Sequence, residues 1–95
     1  MDTQDVVEII KMWNNFYVEM QKSNGNVSPE DLKKWKESML KIASLITIPD
    51  SVRATSAEKN LQVVIEITQT RDENKLEEIY KLLSEVENFF KDAFV

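Results

Sequence analysis

Lys33, Lys34, Lys36 and Lys41, with Trp35 among them, are the side chains of this sequence best suited to a charged ligand. A helix carrying them would present cations to a phosphate backbone and an indole to stack on a base. Glu30, Asp31 and Glu37 nearly cancel that charge, and Trp35 falls in an apolar seam, where packing is its expected role. Acid–base chemistry has one candidate, Glu87, which a helical wheel places inside an apolar arc between Leu76 and Tyr80. The plainer expectation is a glutamate at the edge of the arc, reaching water or pairing with Lys91. Asp72-Glu73-Asn74 resembles the start of a calcium loop. The EF-hand pattern needs glycine at its sixth position and glutamate at its twelfth, where this chain has Glu77 and Leu83.

The sequence contains no histidine and no cysteine, and its one glycine makes no phosphate-cradling loop. Ser-His-Asp and Cys-His nucleophiles, the usual zinc sets and Glu-x-x-His di-iron sites are therefore excluded. No metal and no cofactor are expected, and the chain reads as non-enzymatic. Ninety-five residues form a single helical domain, 1–95, with 42% apolar and 31% charged residues, ordinary values for a folded soluble protein. No apolar run approaches the roughly 20 residues that span a bilayer, and acidic Asp2 and Asp5 argue against a signal peptide. A cytoplasmic protein with no membrane partner is expected. The net charge of −5 makes nonspecific attraction to nucleic acid unlikely on electrostatic grounds.

The elements that must position these residues are helices. Val6, Ile9, Ile10, Trp13, Phe16, Tyr17 and Met20 follow the spacing of one helix face over about 3–23, with Asp2 or Thr3 as cap. Ser23-Asn24-Gly25-Asn26 is the turn. Ser28 is a good N-cap, Pro29 suits the first helical position, and Asp31 completes a capping box, with Val27 and Leu32 as hydrophobic staple. Leu32, Trp35, Met39, Ile42 and Ile46 then make a heptad seam over about 29–47, stopped by Pro49.

The third segment, about 51–70, carries Ala54, Ala57, Leu61, Val64, Ile65 and Thr68 at helical spacing. Leu61, Val63, Ile65 and Ile67 also alternate as a strand would, but no partner strand exists elsewhere, so helix is the better reading. The fourth, about 72–93, has Leu76, Ile79, Tyr80, Leu83, Val86, Phe90, Ala93 and Phe94 on one side, with Glu77–Lys81 and Glu87–Lys91 as i, i+4 pairs. The expected fold is all-α, a compact antiparallel four-helix bundle. One continuous helix over 51–93 is the alternative, because no glycine or proline follows Pro49.

Some apolar residues lie off these stripes. Leu82 and Phe89 form the outer edge of the fourth helix, Val63 and Ile67 lie away from Leu61 and Ile65, and Val7 and Val18 stand opposite the main stripe of the first. Val63, Ile67, Leu82 and Phe89 are therefore the expected protein interface. The functional expectation is a small non-catalytic interaction module, an adaptor, assembly subunit or inhibitor of another protein, itself homo-oligomeric. The alternative is a nucleic-acid-associated regulator acting through Lys33, Lys34, Lys36 and Lys41.

Overall fold

A computed structural model describes residues 2–94, and the side chains up to residue 92. It contains four helices, α1 (Thr3–Ser23), α2 (Pro29–Ala43), α3 (Ser56–Thr70) and α4 (Leu76–Phe94), with short 3-10 turns at Asp50–Val52 and Glu73–Lys75. They pack as a four-helix bundle, α1 against α2 and α4, and α3 against α2 and α4. Three helices begin at side-chain caps. The Asp2 carboxylate accepts from the Asp5 N–H at 2.9 Å, Ser28 Oγ from Asp31 N–H at 3.1 Å, and Thr55 Oγ1 from Glu58 N–H at 3.4 Å. Each such cap is worth about 1 kcal/mol.

Two boundaries differ from the sequence expectation. Helix α2 stops at Ala43 rather than 47. There the Ser44 N–H turns back to the carbonyls of Leu40 and Ile42, and Ser44 Oγ donates to Lys41 O at 2.6 Å. The β-branched run Ile46-Thr47-Ile48 then continues outside the helix, as Pro49 requires of the residue before it. Helix α3 begins at Ser56 rather than 51, because Ala54 has φ 62° and cannot belong to a helix.

The continuous 51–93 helix does not form. Arg71 takes the left-handed conformation, φ 55°, just past α3, and Asp72 then accepts from Asn74 N–H at 2.9 Å to start the next turn. The third segment is a helix, not a strand. Ala54 and Arg71 both sit where a Cβ costs about 1–2 kcal/mol. Ala54→Gly and Arg71→Gly are each expected to raise stability by up to about 1 kcal/mol, after the greater chain entropy of glycine is subtracted. Thermal melting of the two variants checks this.

Trp13 anchors the core. It has no solvent exposure, its indole Nε1–H donates to Met39 O at 2.8 Å, and its ring stacks on Tyr17 at 5.5 Å. Tyr17 in turn stacks on Tyr80 at 4.5 Å, so one aromatic column links α1 to α4. Burial pushes the Tyr17 phenol above 10.0; a side-chain hydrogen bond with Gln21 opposes the shift, while Glu77 and Tyr80 add to it. The neutral phenol therefore contributes fully below pH 10.0, and that contribution is lost as pH rises beyond it.

Most expected core positions are buried, with the following corrections. Phe16 is 42% exposed, because α2 and α4 cover only part of the wide apolar arc of α1. Ile65 is half-buried at the α2 side of α3, and Ile9, Leu32, Trp35, Ile42 and Tyr80 pack half-buried at the core's rim. Ile67 is buried, since α3 packs on α4 along the face that carries it. Leu40, Ala43, Val52 and Ala57 join the core, Val52 from within the 3-10 turn of the α2–α3 connection. The expected core contacts of Ala93 and Phe94 lie outside the described residues.

Candidate functional site

The Trp13–Met39 hydrogen bond sets the register of the antiparallel α1–α2 hairpin. Equal helical rise then puts Phe16 level with Lys36, Met12 with Leu40, and Ile9 with Ala43. On α1, Asp5, Ile9, Met12, Phe16 and Glu19 recur at helical spacing as one outward stripe, apolar in the middle and acidic at both ends. On α2 the corresponding outward stripe is Lys34, Ser38 and Lys41, continued by Leu45 beyond the helix end. Met12 is 40%, Phe16 42% and Leu45 57% exposed. Three of the five most exposed large apolar side chains among the described residues thus lie on this one face. Asp5, Glu8, Ile9 and Met12 line a shallow depression of about 370 Å³ at one end of it.

Sequence reasoning missed this surface because Phe16 and Ile9 fit the core stripe of α1, while Met12 and Leu45 fit no stripe. The available signal was the width of the arc. Met12, Phe16 and Ile9 together with Trp13, Tyr17 and Ile10 span more of the helix than one packed face requires, about 100°.

The expected interface residues fall on the α3–α4 seam. Asn60 Nδ2 donates to Glu85 Oε2 at 2.7 Å, which sets the register of that hairpin and brings Val63 level with Leu82. Val63 is 37% exposed; Leu82 and Phe89 are half-buried against the core, Phe89 edge-on to Phe90 at 6.0 Å. Ile67 is only 6% exposed and offers no surface for docking. Val7 is half-buried and Val18 38% exposed, on the opposite side of α1 from Met12.

Lys33, Lys34 and Lys41 are exposed and Lys36 is half-buried. Lys34 and Lys41 share the outward face of α2 with Glu30 and Glu37, whereas Lys33 and Lys36 lie nearer its α3 side. The cations therefore do not form one uninterrupted stripe. Trp35 is half-buried against the core. Lys41, Leu40 and Ser44 line an open groove of about 740 Å³ facing Ile65, Thr68 and Arg71 of the α3 end. Glu37 and Glu73 sit in the same lining, so its charge is mixed.

Glu87 is held by two donors. Asn14 Nδ2 donates to Glu87 Oε2 at 3.2 Å, and Lys91 Nζ lies 3.5 Å from Glu87 Oε1. The other expected pair, Lys81 with Glu77, is also present at 3.6 Å. Asn14 Oδ1 is buried with no hydrogen-bond partner among the described residues, and turning the amide over would set that oxygen against the carboxylate. Glu87→Gln is expected to cost no more than about 0.5 kcal/mol, because the ion pair with Lys91 is partly exposed. Urea denaturation of the variant checks this.

Among the described residues no group of acidic side chains could hold a metal ion, and no helix is long and apolar enough to cross a membrane. No protein-family model matches the chain. Comparison with curated proteins and with solved structures finds no match either.

Proposed function

We propose that this chain is a small non-catalytic interaction module that binds protein through the outer face of the α1–α2 hairpin, with the cytoplasm as its expected compartment. The observation that supports this reading is the exposure of Met12 and Phe16, one turn apart, with half-buried Ile9 continuing the strip. Single exposed apolar residues are normal on a folded surface. A contiguous strip containing an aromatic ring and rimmed by charge has the composition of an interface centre.

Photo-crosslinking in the source cell tests the proposal. A photoreactive residue at Phe16 is expected to give discrete protein adducts, and one at exposed Gln62 on α3 none. Equal, diffuse labelling from both positions would overturn it.

A further inference from the structure

We propose that the occupant of this face is a second copy of the same chain, in a two-fold dimer whose axis runs parallel to α1 and α2. This rests on the interaction-module reading and names its partner. The face is complementary to itself when the axis runs along the helices. A two-fold axis along the helices lays α1 of one copy on α2 of the other while keeping every residue at its own height. By the register of the Trp13–Met39 bond, Lys34 stands one residue from the height of Glu19, and Lys41 one residue from that of Met12. Leu45 comes within two residues of Ile9.

Glu19 therefore meets Lys34 of the second copy, and the Met12 side chain lies along the Lys41 stem, with Glu8 three residues below for its ammonium. Ile9 meets Leu45, and Phe16 falls between Lys34 and Ser38. Toward the far edges, Lys22 stands level with Glu30, an opposite-charge pair, and Asn15 with Glu37, where an amide can donate to the carboxylate. Glu8, Glu19, Lys34 and Lys41 are all exposed, and the ion pairs within the described chain use none of them. The other orientation, α1 on α1 about a perpendicular axis, would set Asp5 against Glu19 of the second copy, a like-charge contact.

The size of the face fixes the strength. Helix α2, with 15 residues, is about 22 Å long, and two adjacent helices present a width of roughly 20 Å. That gives about 450 Å² per copy, against about 800 Å² per partner in a typical stable complex. The dimer is therefore a weak one that dissociates on dilution and with salt.

Sedimentation velocity on the whole chain from about 5 µM to about 1 mM, at low salt, tests this. Wild type is expected to pass from monomer to dimer across that range. Glu19→Lys and Lys34→Glu should each weaken the dimer at least about tenfold, and the two together should restore it to within about threefold. Phe16→Lys, which sets a second cation beside Lys34 of the second copy, should abolish it with unchanged helical circular dichroism. A wild type that stays monomeric throughout overturns the proposal, as does a charge swap without rescue. A dimer lost in Phe89→Asp but retained in Phe16→Lys also overturns it and moves the interface to the α3–α4 seam. A monomeric wild type whose position 16 still cross-links to other proteins overturns the second copy as partner and leaves the interaction-module reading standing.

Discussion

Replacing Trp13 by alanine is expected to remove about 3–5 kcal/mol of stability, the range for deleting a large buried aromatic. Three losses combine at this position. The indole is fully buried, its N–H serves Met39 O at 2.8 Å across the α1–α2 interface, and its ring is one end of the stack through Tyr17 to Tyr80. A domain of this size has a total stability of about 5–15 kcal/mol, so the variant approaches the unfolding threshold at 37 °C. Each kcal/mol moves the melting temperature by about 4–8 °C at this length, so a fall of at least about 12 °C is expected in a thermal melt. Trp13→Phe separates the contributions. It keeps most of the packing and loses the hydrogen bond, so its cost should lie well below that of alanine. Equal costs for the two variants would mean that the hydrogen bond, not the buried volume, holds the hairpin.

The same chemical change at two phenylalanines should have opposite results. Phe90 is 5% exposed within the core cluster on α4, and Phe90→Asp places a carboxylate in that apolar core. Such a change exceeds about 4 kcal/mol and is expected to leave the chain largely unfolded at 25 °C. Phe16 is 42% exposed on α1, and Phe16→Asp is expected to cost only about 1–2 kcal/mol and to leave the chain folded. Far-ultraviolet circular dichroism and urea denaturation of both variants distinguish the two environments. An unfolded Phe16→Asp would show that its ring is internal in solution.

Those two residues also mark what could be read without the structure. Each fits an apolar stripe at helical spacing, and the stripe does not record how much of its width a neighbouring helix will cover. Local signals were clearer. The Asp2 cap, the Ser28-Pro29 start and the turn at Ser23-Asn24-Gly25-Asn26 depend on residues a few positions apart, and α1 runs over Thr3–Ser23 as that spacing predicts. The end of α2 was legible in part. Ile42 and Ile46 keep helical spacing, but β-branched Ile46-Thr47-Ile48 before Pro49 carried the opposing signal, which prevailed. Ile46 remains buried at 2% exposure, so the spacing located a core residue without locating the helix end.

The left-handed turns at Ala54 and Arg71 had no signal, because neither residue favours that conformation. For the interface, Val63 is exposed as expected and Ile67 is not, although both belong to the same side of α3. Which of them α4 covers is a tertiary fact that periodicity does not contain.

The connection over 44–55 bears on the order in which this chain assembles. The α1–α2 and α3–α4 hairpins each close over a few residues, at small entropic cost, and each carries its own cross-helix clasp, Trp13–Met39 or Asn60–Glu85. Joining them requires the longer connection to settle, with Ile46 and fully buried Val52 seated in the shared core. On loop-closure entropy the hairpins are expected to form first and Val52 to seat in a later docking step. A chain whose Val52 has not seated would hold two formed hairpins with part of their apolar inner faces still open to solvent.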